Sequence, residues 1–204
     1  MASSLDGKIG PADADHFVSI TSRYDMEHLK SLRDRADGIL FGASTFRAWP
    51  KVHQGHDSTR KTAHFIMSHN LELDLDVPLF QAVDIPLTIF TDSKTALSQR
   101  HFPKHVKLVP TPEGIGQITF IINHLRKQNI NALLIEGGGQ VLHQFIDAGV
   151  LQELYLTLAP TLIGQKEAPG LLGNQTLSHP PKIRLLSSRQ VKDEFYLHFK
   201  LDYS

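Results

Sequence analysis

Short runs of unbroken apolar residues alternate with longer stretches whose apolar positions recur every three or four residues. The runs are 38–43 (GILFGA), 63–67 (AHFIM), 87–91 (LTIFT), 106–109 (VKLV) and 132–136 (ALLIE). Apolarity without polar alternation at this length predicts strands covered on both faces, as in a parallel sheet. Helices fall between some of them. Residues 25–36 place Met26, Leu29, Leu32 and Ala36 on one face, with Ser22 and Asp25 as a capping box. Residues 112–127 carry Ile115, Ile118, Ile121, Ile122 and Leu125 inward. Thr111 is the expected N-cap there, Pro112 sits in the first turn, and Arg126 and Lys127 suit the C-terminal dipole. A third helix spans 138–148, with Val141, Leu142, Phe145 and Ile146 inward and Gly149 at its end.

Beyond residue 150 the pattern changes. Residues 153–163, 182–192 and 194–203 read as strands without intervening helices, and Lys192–Asp193 joins the last two as a hairpin. Pro160 argues for a bulge or edge position. Residues 164–181, rich in Pro and Gly, form a long loop, a candidate flap or partner contact. The fold class is therefore α/β: a mixed, mostly parallel central sheet flanked by helices, with an antiparallel C-terminal hairpin, in a single domain across 1–204.

Composition narrows the function. The 21 basic and 21 acidic residues balance, which argues against nucleic acid or a membrane surface as partner. No apolar run approaches the ~18 residues of a membrane span, and cysteine is absent, which rules out disulfide and thiolate chemistry. A soluble, cytoplasmic protein is expected. The 12 histidines include no HxxxH or HExxH pair, so no metal site is expected.

Three stretches carry candidate chemistry. Glu136 ends a strand and Gly137, Gly138 and Gly139 open the following helix. Amides at a helix start are unpaired and partly positive, and glycines leave them bare, so the turn suits a phosphate; close packing of strand and helix would demand glycine equally. The Rossmann spacing fails, because Leu142 stands at its third glycine. Gly42-Ala-Ser-Thr45 repeats a strand-to-helix entry, either as a second phosphate contact or as a simple N-cap by Ser44 or Thr45. Ser4-Leu-Asp-Gly-Lys-Ile9 contains an Asp-Gly turn.

In this order SLDGKI, LRDRADGILFGAST and IEGGGQVLHQFIDAGVLQELYLTLAPTLIG closely resemble the reductase domain of bacterial bifunctional riboflavin-biosynthesis enzymes and the related stand-alone reductases, which share the dihydrofolate-reductase fold. The resemblance covers nearly the whole chain, weakly from 46 to 110. It implies a 5-amino-6-(5-phosphoribosylamino)uracil reductase, delivering hydride from NADPH to the sugar C1 carbon in its open-chain form, and a homodimer. By resemblance Thr45, with Gly42, contacts the cofactor diphosphate, and Gly137, Gly138, Gly139, Gln140 and Val141 cradle the nicotinamide side. Glu136 and Asp6 are the catalytic candidates; Glu136 lies beside the substrate or else caps its helix, and Asp6 lines the pocket or fixes its turn. Arg33 holds the substrate, or else is a solvated arginine near Asp37. Strand ends in such folds face the adenosine half, which makes Ser68 and Ser93 candidates for the 2′-phosphate.

Departures fall on the substrate side. The family's D-x-P-x-L-x-x-R stretch, whose arginine helps bind substrate phosphate, is replaced by 46–56, with Trp49 at the acid and His56 at the arginine. Arg47, Lys51, Arg60 and Lys61 are candidate replacements for that cation. The family's SxWITS reads Phe17-Val-Ser-Ile-Thr-Ser22, and more strand residues are expected before SLDG. Two further readings stay open: a reductase of a pterin, folate or other heterocycle, and a non-catalytic nucleotide-binding relative.

Overall fold

The structure is a computed structural model that describes residues 1–13, 20–92, 101–114 and 116–204. The chain forms two compact units, Leu29–Gly137 and Met1–His28 with Gly138–Ser204. Ser93 and Ile115 lie outside the described residues.

The unit Leu29–Gly137 is built on a five-stranded, wholly parallel sheet. Its strands are β2 (Gly38–Gly42), β3 (Ala63–Met67), β4 (Leu87–Thr91), β5 (Val106–Pro110) and β6 (Leu133–Gly137), in the order β5-β4-β3-β2-β6. β2 and β4 are buried at every position. This is why their sequences show no polar alternation. Ile39, Phe41, Ile66, Leu87 and Ile89 meet Phe46, Leu79 and Phe80 in one apolar core, Phe46 coming from α2 (Ala43–Ala48) and the last two from α3 (Pro78–Gln81). α4 (Gly116–Arg126) buries Ile118, Ile121 and Leu125, the face expected of it, although it begins later than Pro112.

The other unit carries a second sheet, β1-β7-β9-β8, formed by β1 (Ala2–Ser3), β7 (Glu153–Leu158), β8 (Lys182–Val191) and β9 (Glu194–Asp202). β1 and β7 are parallel; β7, β9 and β8 are antiparallel, and β8 turns into β9 through Lys192–Asp193. The parallel strands and the antiparallel C-terminal hairpin are those that the apolar pattern predicts. β7 ends before Pro160, which cannot donate to a ladder. α5 (Gly139–Asp147) buries Val141, Leu142, Phe145 and Ile146 as its spacing required. Its end is closed by Gly149 N–H on the Ile146 carbonyl and Val150 N–H on that of Phe145, a Schellman pair. α1 (Arg23–Arg33) starts at Ser22, whose Oγ accepts from Tyr24 N–H. The carboxylate that takes the Ser22 N–H is Glu194 at 2.7 Å. Asp25, the expected box partner, instead accepts from Thr157 Oγ at 2.6 Å.

Ile66 is fully buried in the parallel sheet. Ile66→Ala should lower unfolding free energy by about 2–5 kcal/mol in a urea titration; a change under about 1 kcal/mol would contradict the packing described.

Candidate active site

A cluster of buried charged and polar side chains lies at the end of β6. In the β2–β6 register Leu40 pairs with Ile135 and Phe41 with Gly137, so Glu136 is skipped. A bulge of this kind re-aims one side chain out of the strand alternation. Gly137 follows at φ +130°, a conformation that side chains with a Cβ rarely adopt. The bulge and the glycine together fix the direction of the Glu136 carboxylate.

Both oxygens of that carboxylate have partners. Arg33, the last residue of α1, donates Nε to Oε1 at 2.6 Å and Nη2 to Oε2 at 2.7 Å, a bidentate fork. His53 Nδ1 lies 2.6 Å from Oε2. The three side chains are 7%, 4% and 5% exposed for Arg33, Glu136 and His53. Arg33 Nη1 donates to the Gln54 carbonyl at 3.2 Å, and His53 Nε2 faces the Trp49 carbonyl at 3.2 Å. The His53 ring stacks on Phe41 at 4.8 Å between centroids. Burial alone would raise the Glu136 pKa, but the hydrogen bonds from Arg33 and His53 outweigh it and hold the group well below the usual carboxylate range. With Glu136 ionised, the proton between it and His53 belongs to Nδ1.

His64 on β3 supports this cluster from behind. Its Nε2 accepts the backbone N–H of His53 at 3.0 Å and its Nδ1 donates to the Thr62 carbonyl at 2.9 Å, so the ring is the neutral Nδ1–H tautomer. Burial pushes its pKa down to about 4.

The other expected site residues are placed as follows. Gly42 is buried and stands at the N-cap of α2, so Ser44 and Thr45 lie inside the helix and not at its cap position. Thr45 is half-buried in that helix. Ser68 is buried, and its Oγ accepts the Leu71 N–H at 3.1 Å. Asp6 accepts from Ser4 Oγ at 2.6 Å, Ile163 N–H at 3.0 Å and Gly164 N–H at 2.8 Å. These bonds lower its pKa and tie SLDG to the 161–164 stretch, which the sequence placed at opposite ends of the chain. Gly138 is the N-cap of α5, and the first intrahelical bond runs from Leu142 N–H to its carbonyl, so the amides of Gly139, Gln140 and Val141 precede the helical ladder. Gly139 and Val141 are buried and Gln140 is exposed. A Cβ on Gly139 would stand 2.3 Å from Gly173 N, so close packing accounts for this glycine as backbone conformation does for Gly137. Of the candidate cations, Arg60 pairs with Asp37 and the Asp34 carbonyl, Lys61 with Asp84, and Lys51 lies over the Trp49 ring. His56 pairs with Asp34 at 2.6 Å. The residue that sequence reasoning missed is His53. It lies in a stretch without periodicity and 83 residues from its partner Glu136.

Among the described residues no His/Cys/Asp/Glu group could hold a metal ion, and no helix is long and apolar enough to cross a membrane.

An α/β frame with a buried, arginine-paired carboxylate before a glycine-rich helix start is the setting in which the comparisons fall. Residues 1–197 match the model of the RibD C-terminal domain, and the chain belongs to that family. It is 21% identical over 178 residues to the 2,5-diamino-6-ribosylamino-4(3H)-pyrimidinone 5′-phosphate reductase of Aquifex aeolicus, covering 84% of this chain and 80% of that protein. It is 24% identical over 214 residues to the riboflavin biosynthesis protein RibD of Escherichia coli, covering 97% of this chain and 58% of that one. The chain thus spans about half the length of the RibD relatives it matches. A pyrimidine reductase-like protein from Corynebacterium diphtheriae shares the fold, with a TM-score of 0.81 at 18% identity over 100% of this chain and 90% of that one.

Two outcomes follow from the cluster. Arg33→Leu strands a buried carboxylate and should cost about 3–5 kcal/mol by chemical denaturation, whereas Arg33→Leu with Glu136→Leu should recover much of that loss; a double variant no better than the single would contradict the pairing. The unfolded chain protonates His64 near its ordinary 6.5, while the fold keeps it neutral down to about 4. The unfolded state therefore binds more protons in that window, and stability should fall as pH drops from 6.5 toward 4. In His64→Gln the melting temperature should fall less across this window; an unchanged slope would contradict the assignment.

Proposed function

We propose that this chain is a cytoplasmic NADPH-dependent reductase of the riboflavin-pathway type, acting on 5-amino-6-(5-phosphoribosylamino)uracil or a closely related phosphoribosylamino-pyrimidine. The observation that carries this reading is the family match over residues 1–197, a span that includes the charged cluster and the glycine-rich helix start.

The residues present fit the cofactor. What supports this is that the amides of Gly139, Gln140 and Val141 precede the helical ladder of α5. In this reading Gly137, Gly138, Gly139, Gln140 and Val141, with Gly42 and Thr45, hold the nicotinamide and diphosphate parts, and Ser68 with Ser93 the 2′-phosphate. When bound, NADPH supplies the hydride. The chain's own part is to orient the substrate and exclude water. Arg33 and Glu136 act on the substrate as a pair, since each presents to it only the valences the other leaves. Glu136 offers acceptor capacity for a sugar hydroxyl or ring N–H, and Asp6 shapes the SLDG turn. A homodimer belongs to the same proposal, supported by Ile183, Leu185 and Leu186 on β8 and Phe195 on β9, which are 57%, 51%, 40% and 43% exposed.

One observation favours a second reading, a reductase of a pterin, folate or other heterocycle without a phosphate. Arg33 is engaged by Glu136, and Arg60 and Lys61 are paired with Asp37 and Asp84, at the positions where a phosphate-binding cation was sought.

The assay is NADPH oxidation at 340 nm with the phosphoribosylamino-pyrimidine, dihydrofolate and a dihydropterin in parallel. Turnover of the first alone supports the leading proposal, turnover of the others the second, and turnover of none counts against both. Gly138→Asp should weaken NADPH binding by more than about tenfold, or about 1.4 kcal/mol. Equal binding would mean that the glycines serve packing only.

A further inference from the structure

We propose that His53 is a positioning residue for the reduction: it leaves Glu136 a single open acceptor direction and so sets which donor of the substrate that carboxylate can take. The inference rests on the assignment of Glu136 to the substrate and deepens it.

An ionised carboxylate accepts in about four directions, two on each oxygen. The Arg33 fork takes one on each, with Nε 2.6 Å from Oε1 and Nη2 2.7 Å from Oε2. His53 Nδ1, 2.6 Å from Oε2, takes the second direction there. Nη2 and Nδ1 lie 3.1 Å apart and converge on that one oxygen. What remains among the described residues is one direction, on Oε1. Without His53 each oxygen would keep one, and a substrate N–H or O–H could be held at either. Arg33 thus fixes the plane of the carboxylate, and His53 makes its two oxygens unequal.

The His53 ring is itself held from several elements. Its backbone N–H donates to His64 Nε2 on β3 at 3.0 Å, and its face stacks on Phe41 of β2, 4.8 Å between centroids and 23° between planes. Nε2 faces the carbonyl of Trp49, at the end of α2, at 3.2 Å. The side chain is 5% exposed. An apolar ring could make the same stack, but it would set two buried acceptors, Glu136 Oε2 and the Trp49 carbonyl, against a group with no hydrogen to give. His53 belongs to the stretch 46–56, which lacks the expected acid and arginine. That stretch still reaches the site, through a side chain bonded to Glu136.

Substitution separates the two ring nitrogens. Asparagine carries its amide nitrogen near the place of Nδ1, and glutamine near that of Nε2. His53→Asn therefore keeps a donor for Glu136, and His53→Gln keeps one for the Trp49 carbonyl. Both lose the ring on Phe41 and one ring bond, so urea titrations should show similar losses of stability. The NADPH oxidation assay with the phosphoribosylamino-pyrimidine should separate them. His53→Gln should lower kcat/KM for the pyrimidine about tenfold or more with KM for NADPH unchanged, and His53→Asn should recover most of that loss. Equal losses, a larger loss in His53→Asn, or no loss in either would overturn the inference alone. Should either variant not fold, wild type labelled with nitrogen-15 in its histidine rings carries the test. The His53 Nδ1–H bond to Glu136 should persist when the pyrimidine is added, and its release on binding would overturn the inference. Absence of turnover by wild type would overturn the proposed function and the inference with it.

Discussion

A buried carboxylate held by a bidentate arginine is the constraint around which the unit Leu29–Gly137 is arranged. Placing Glu136 in the interior without partners would cost several kcal/mol. Three devices remove that cost. The register skip opposite Leu40 and Phe41 turns the side chain out of the strand alternation, Gly137 permits the backbone to continue, and Arg33 arrives at the C-terminal end of α1, where a cation is favoured. His53 then takes the second position on Oε2, and its own backbone is fixed by the neutral ring of His64. Changing any one of these alters the ionisation or direction of the carboxylate.

This arrangement bears on substrate choice. In the phosphate-binding reading Arg33 is a free fork waiting for an anion, but the fork is already matched to a carboxylate of the same chain. In the function proposed above, a substrate would meet a neutralised pair and not a bare cation, and its recognition would rely on hydrogen bonding to the pair. The replacement of an acid and an arginine by Trp49 and His56 points the same way, since His56 is occupied by Asp34.

Much of the frame was legible in the chain. The buried strands declare themselves by unbroken apolarity, α5 by its four inward residues, and the hairpin by the short Lys192–Asp193 link. What was hidden is long-range. A bulge at Glu136 leaves no trace in a two-residue period, and the match of Arg33 to Glu136 spans 103 residues. His53 sits in an aperiodic loop whose order comes from a histidine on β3. The reason for Gly139 lies in Gly173, a residue of the long Pro- and Gly-rich loop that the sequence marked as a candidate flap or partner contact.

The most direct measurement is a carbon-13 NMR titration of the Glu136 side-chain carboxyl, assigned with a Glu136→Gln control. With Arg33 and His53 both bonded to it, the resonance should remain that of an ionised carboxylate well below pH 4.5, the ordinary value, for as long as the fold persists. A Glu136 carboxyl that takes up its proton at or above pH 4.5 would contradict the cluster on which the account rests.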